Sequence, residues 1–385
     1  MASTGDITSE YFGMHVVGPV ETNISGTGRS TLWPTPGPTS VRILNTWGYS
    51  PSQGRYSGLW WSGINTAPGV YDWSLFDQVW AKLRAQGVTD VVYSFQSVPS
   101  WACNCPDGDR PPTDHRYLAD FATAVAERAQ TNGLPIRNWE AWNEPNSEKG
   151  YWLGTVPQMI TMARTVHTAI KAVDPTYRVL TPAPQGNSAQ WMDGYLAAGG
   201  GAYADTIAFH GYTSSAPEAI IPLIDQYKAV LSKHGQGGKP IWDTEAMGLG
   251  SGGTPVPTSQ HANLLAIYYL VHFSEGVERF YWYTWDGDHG KLWDSNTGIN
   301  AAGTAYVQVH EWMLGATPGP VAVNGSVYSV PLTRNGQTSL AVWNASGNST
   351  FATDHAQVTD LSGSTRAVSG GSVTIGNAPV LLSTP

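Results

Sequence analysis

A chain of 385 residues is long enough to bury a large core without metal or disulfide staples. Lys and Arg total 20 against 29 Asp and Glu, a net charge of −9, so the clustered cations that track phosphate in nucleic-acid binders are missing. No apolar run approaches the ~20 residues of a membrane-spanning helix, and 43 Gly with 26 Pro stay below disordered or collagen-like composition.

Met1-Ala2-Ser3-Thr4 carries neither the basic region nor the apolar run of a signal peptide. Low charge, many small polar residues and 17 Trp still point to an exported protein. Short apolar runs near 11–18, 40–47, 88–97, 136–143, 178–183, 205–211, 239–245 and 277–285 read as strands. Between them, apolar residues three and four apart predict amphipathic helices: Leu75-Phe76-Val79-Trp80-Leu83, Leu118-Phe121-Val125-Ala126 and Met159-Met162-Ala163-Val166-Ile170. Gly87, Gly133 and Pro175 punctuate their ends. Repeated βα units imply parallel strands, and eight of them predict an α/β fold, a (β/α)8 TIM barrel over residues 1–317. A doubly wound open sheet is the competing arrangement, but Gly13 and Gly18 do not make its dinucleotide-binding pattern.

Composition shifts at Pro318-Gly319-Pro320, after which residues 321–385 contain no Lys and no Glu. Runs such as Ser339–Trp343 and Ser372–Ile375, separated by Asn335-Gly336, Ser346-Gly347-Asn348 and Gly370-Gly371, predict antiparallel strands. Residues 318–385 are therefore expected to form a small C-terminal all-β, sandwich-like domain packed on the barrel. Cys103 and Cys105 read as a structural or redox-active pair, bridged across one residue if geometry permits. A metal site there would have to draw on Asp107, Asp109, Asp114 and His115.

Reactive groups of a (β/α)8 barrel sit at the C-terminal ends of its strands. Strand four reads Ile136-Arg-Asn-Trp-Glu140-Ala-Trp-Asn-Glu144-Pro145, and period-two alternation puts Glu140, Trp142 and Glu144 on one side. Strand seven, Lys239-Pro-Ile-Trp-Asp-Thr-Glu245, also ends on a carboxylic acid. Two carboxyl groups facing each other across a barrel suit glycosidic bond cleavage. One protonates the departing oxygen, and the other attacks the anomeric carbon with net retention when they lie roughly 5–5.5 Å apart. Either Glu as a solvated loop residue is the plain alternative.

The segment Trp142-Asn143-Glu144-Pro145-Asn146, preceded by Glu140, resembles the acid/base segment of clan A retaining glycoside hydrolases, particularly glycoside hydrolase family 39. Tyr71-Asp72-Trp73, Asp77, Gly87 and Pro99-Ser100-Trp101 extend the likeness, which covers most of residues 40–290. The resemblance implies Glu144 as acid/base, Glu245 as nucleophile and Asn143 as ligand of the sugar hydroxyl beside the attacked carbon. It further implies that Arg42 and Tyr212 bond the nucleophile, with His210 near the acid/base and Trp285 as a sugar platform. Two departures stand out: Leu44-Asn45-Thr46 replaces the family's frequent His-Gly, and the segment after Glu245 is atypical.

Arg42 beside Glu245 would keep that carboxylate ionised, while Glu144 must stay protonated until it donates. His15 and His210 read either as site residues or as satisfied core histidines. Trp101 and Trp285 read as sugar contacts or packing aromatics, and Trp60-Trp61, in a Gly- and Ser-rich loop, as a glycan contact. Loops 26–38, 50–69 and 248–257 are candidates for the cleft walls. Asn23, Asn324, Asn344 and Asn348 begin potential glycosylation triplets. The expectation is a retaining glycoside hydrolase acting on a carbohydrate, an oligo- or polysaccharide, with no cofactor, metal, nucleic acid or membrane partner. A transglycosylase on the same site and a non-catalytic carbohydrate-binding protein are the rival readings.

Overall fold

The computed structural model describes residues 5–16, 32–43, 49–50, 55–56, 61–106, 108–147, 150–186, 188–213, 216–248, 256–287, 290–294 and 298–384. Eight strands, β1 (Phe12–Met14), β2 (Ser40–Ile43), β3 (Asp90–Ser94), β4 (Ile136–Glu140), β5 (Arg178–Leu180), β6 (Ile207–Phe209), β7 (Ile241–Ala246) and β8 (Val277–Trp282), form one parallel sheet. Its order is β6-β7-β8-β1-β2-β3-β4-β5, and a parallel bridge from Leu180 to Thr206 joins the two ends. The sheet is therefore closed, which settles the barrel against the open sheet. Expected strand extents reached 18 and 47; residues 17–18 and 44–47 lie outside the described residues.

From β2 onward a helix follows each strand: α1 (Ser74–Ala85), α2 (Arg116–Thr131), α3 (Val156–Val173), α4 (Ser188–Ala197), α5 (Ile220–Lys233), α6 (Thr258–Ser274) and α7 (Ala301–Met313). Their starts have local causes. Thr155 and Gln158 form a reciprocal capping box at α3, and Asn300 Oδ1 accepts from Ala302 and Gly303 N–H at α7. The predicted apolar stripes of α1, α2 and α3 all turn inward, burying Phe76, Trp80 and Leu83, then Leu118, Phe121 and Val125, then Met159, Met162 and Ile170.

Alternation along the strands fills the barrel interior in layers. At the base, Asp90 accepts from Ser40 Oγ and Asn138 Nδ2, both at 2.8 Å, and pairs with Arg279. The Arg279 guanidinium lies 4.2 Å from the Trp242 ring centroid. Above it, Val92, Leu180, Ala208, Trp242 and Tyr281 make an apolar plug. Arg42, Ser94 and Glu140, two residues further along their strands than Ser40, Val92 and Asn138, point into the uppermost layer. The barrel is thus solid beneath its C-terminal mouth: the basal polar groups are paired with one another and sealed off by the apolar plug, and the polar groups above the plug lie at the mouth.

The C-terminal strands are β9 (Thr317–Pro318), β10 (Ala322–Asn324), β11 (Val327–Arg334), β12 (Gln337–Asn344), β13 (Ser349–Ala352), β14 (Gln357–Thr359), β15 (Thr365–Ala367), β16 (Ser372–Ile375) and β17 (Val380–Ser383). One sheet runs β9-β11-β12-β17-β14-β15 with β10 on β11, and β13 pairs with β16. Asn335-Gly336 makes the tight β11–β12 turn, with φ of 51° and 77°, the left-handed conformation that such hairpin loops require. Val342, Val358, Val373, Ile375 and Leu382 form an inner core. The domain also shares the main core: Val330, Leu332, Ala341 and Trp343 pack with barrel residues, and Trp343 Nε1 donates to Glu218 Oε1 at 2.7 Å. Of the glycosylation triplets, Asn344 is buried and bonded to Ser346 N–H and Ser349 Oγ, which makes it a poor acceptor; Asn23 lies outside the described residues.

Trp343→Ala should therefore cost about 3–5 kcal/mol of stability, combining a large cavity with an unpaired Glu218. Urea denaturation checks this. A loss under about 1 kcal/mol would show that the two units hold together without this anchor.

Candidate active site

Arg42 on β2 is fully buried at the barrel mouth and is held from two sides. Its Nη1 donates to Glu245 Oε2 at 2.8 Å; its Nη2 donates to Glu140 Oε1 and, at 2.7 Å, to Asn143 Oδ1. Ser94 Oγ on β3 donates to the same Glu140 oxygen at 2.7 Å. A buried guanidinium needs an anionic partner. Here it has two, of which sequence reasoning named Glu245 and missed Glu140.

Glu245 receives a second donor, the Tyr212 hydroxyl, at 2.6 Å from its Oε1. Burial, and then the charge of Glu245, push the Tyr212 hydroxyl well above the usual phenol range, so it stays protonated and donates. Glu245 reaches the mouth by a break in strand alternation. Asp243 and Ala246 of β7 sit opposite Phe280 and Trp282 of β8, so Thr244 and Glu245 face the single residue Tyr281, and this bulge re-aims Glu245.

Glu144 occupies the opposite wall. The expected alternation from Glu140 through Trp142 to Glu144 does not hold, because β4 ends at Glu140 and rejoins β5 only at a single Asn143–Ala183 bridge. Trp142 consequently packs outward, edge to face on Trp152 at 5.3 Å, while Asn143 and Glu144 turn inward. Glu144 has φ of 42°, a left-handed conformation costly for a residue with a Cβ and typical of functional sites. His210 Nδ1, just after β6, lies 2.9 Å from Glu144 Oε1. Burial opposes a charge on His210, but the charge of Glu245 and the hydrogen bond to Glu144 outweigh it, raising its pKa above the usual histidine value.

Glu144, His210 and Glu245 each place one potential ligand atom within 4.8 Å of the others, the one such metal-sized cluster among the described residues. The guanidinium of Arg42 already takes the cationic position beside Glu245, so the donor set suits a metal ion poorly.

The other candidates have partners of their own. His15 Nε2 lies 2.9 Å from the Thr244 carbonyl; burial, then the charge of Arg42, hold its pKa well below the usual value, so it is a neutral support under the mouth. Trp285 is 3% exposed, with its N–H donated to the Leu32 carbonyl at 3.2 Å, rather than an open platform. Trp101 is half-buried, packs edge to face on Tyr117 and donates its N–H to the Asn65 carbonyl at 3.0 Å. Trp60 and the Trp61 side chain lie outside the described residues, as do 26–31, 51–54, 57–60 and 249–255 of the expected cleft loops. Cys103 and Cys105 form a disulfide, which decides against a metal site at that pair. Tyr151 was missed: burial, then the charges of Glu144 and Glu245, push its hydroxyl up to about 12. No local pattern distinguishes it from a packing tyrosine.

Residues 108–306, just over half the chain, match the glycosyl hydrolase catalytic core family, and the chain belongs to that family. A beta-xylosidase of Geobacillus stearothermophilus is 26% identical over 196 residues, spanning 45% of this chain and 39% of that enzyme's length. Among solved structures, a family 39 glycoside hydrolase from Bacteroides cellulosilyticus WH2 superposes with a TM-score of 0.77 at 18% identity, covering 98% of this chain and 81% of that one. A family 30 endoxylanase from Clostridium papyrosolvens C71 gives 0.65 at 16% identity, over 100% and 98%. The clan A resemblance read from the Asn-Glu-Pro segment agrees with these matches.

Proposed function

We propose that the protein is a retaining glycoside hydrolase that cleaves β-linked O-glycosidic bonds of an oligo- or polysaccharide by double displacement. The observation that carries this reading is the carboxylate pair, with oxygens of Glu144 and Glu245 within 4.8 Å and each held by its own partner. That spacing is near the roughly 5–5.5 Å of retaining enzymes and leaves no room for the intervening water of an inverting one.

In the first step, Glu144 gives its proton to the departing glycosidic oxygen as Glu245 Oε bonds the anomeric carbon. The product is a glycosyl ester and a free leaving alcohol. In the second, Glu144, now ionised, takes a proton from water, whose oxygen displaces Glu245 and restores both groups. Arg42 and Tyr212 spread the charge of Glu245 and aim it. Arg42 also fixes the Asn143 amide, occupying its Oδ1 and leaving the Nδ2 hydrogens for a sugar hydroxyl. Low charge content, many small polar residues, abundant Trp and the Cys103–Cys105 disulfide support an extracytoplasmic location.

The test is incubation with a panel of aryl β-glycosides and polysaccharides, followed by NMR. Release of a first-formed β-sugar supports the reading; a first-formed α-sugar, or no cleavage with sugars bound unchanged, contradicts it.

A further inference from the structure

Behind Glu245 lies a buried polar group that the two-carboxylate mechanism does not use. Asp243 and His272 are both fully buried, with Asp243 Oδ2 2.8 Å from His272 Nε2. The other ring nitrogen, Nδ1, lies 2.7 Å from the Tyr268 carbonyl, which can only accept, so Nδ1 carries a proton. Asp243 Oδ1 accepts from the N–H of Gly211 at 3.1 Å and from the N–H of Glu245 at 3.3 Å. The Tyr268 hydroxyl donates to the Gly211 carbonyl at 3.1 Å and accepts from Thr213 N–H at 3.2 Å.

Gly211 is thereby held by both its N–H and its carbonyl, one from β7 and one from α6. Its neighbours are His210, which bonds Glu144, and Tyr212, which bonds Glu245. The approach is so close that a Cβ at Gly211 would lie 2.1 Å from Asp243 Oδ2, so only glycine fits. We propose that Asp243, His272 and Tyr268 form a positioning cluster that clamps the β6 loop through Gly211 and so sets one partner against each reacting carboxylate. This rests on reading Glu144 and Glu245 as the reacting pair.

Two substitutions test it. Tyr268→Phe keeps the ring in place and removes the hydroxyl. It should lower kcat on an aryl β-glycoside cleaved by the wild type by about 10–100-fold with KM within about threefold, as expected for a misplacement near 1 Å. Asp243→Asn keeps the acceptor for Gly211 and Glu245 and offers an N–H to a neutral His272, so it should retain kcat within about fivefold. Imidazole 15N spectra of the free proteins give a readout independent of any substrate. The His210 signals should shift in Tyr268→Phe and stay at the wild-type positions in Asp243→Asn. Unmoved His210 signals in a folded Tyr268→Phe protein would overturn the clamp, whatever the kinetics. So would an activity loss that tracks the drop in Tm and recovers on cooling. A wild type inert toward every glycoside would sink the functional reading alone, with the 15N shifts still deciding the clamp.

Discussion

Glu245→Ala loses nearly all turnover, by a factor on the order of 10⁴–10⁶, because the group that forms the bond to the anomeric carbon is gone. Arg42 and Tyr212 are left facing an empty position with a positive charge and a hydroxyl donor. A small anion fits such a position. Added azide should therefore restore cleavage of activated aryl β-glycosides and yield an α-glycosyl azide, since a single displacement inverts the centre. Kinetics with and without azide, with NMR of the product, check this. A β-azide, or rescue absent at any concentration while folding is intact, would remove Glu245 from the nucleophile position.

Glu144→Ala should separate substrates by their leaving groups. Proton donation contributes typically 10²–10⁴-fold, but only where the departing oxygen needs a proton. Unactivated glycans should lose on the order of 10³–10⁴, or about 4–5.5 kcal/mol of barrier, in the glycosylation step. Aryl glycosides with acidic phenols should lose far less in that step and become limited by deglycosylation, where the missing base slows attack by water. A burst of phenol followed by slow turnover is the expected trace. Equal losses across leaving groups would take Glu144 out of the acid/base role.

Much of this was legible in the chain because barrel strands buried on both faces, such as Asp90–Ser94, read as short near-continuous apolar runs. Helical stripes three and four apart identified the outer layer for the same reason: their inward faces have nowhere else to go. Glu144 was legible through its Asn-Glu-Pro context and Glu245 through its place at a strand end. How the two reach the centre was not. Period-two reasoning assumes an unbroken strand, and both side chains arrive by breaking it, Glu144 through a left-handed residue and Glu245 through a bulge. Contacts between distant segments were equally silent. Glu140 lies 98 residues from Arg42, and His272 lies 29 from Asp243 on a helix whose local pattern marks only burial. The site's framework is a property of barrel closure, which sequence spacing does not encode residue by residue.

The most direct test of a double displacement through Glu245 is capture of its intermediate. A 2-fluoro β-glycoside of a sugar that the enzyme cleaves, carrying a good leaving group, slows breakdown of the ester enough for it to accumulate. Intact-mass analysis should show one added fluoroglycosyl unit, and peptide mapping should place it on Glu245. A label on any other carboxylate, or full turnover with an inverted first-formed product and no adduct, would contradict the mechanism.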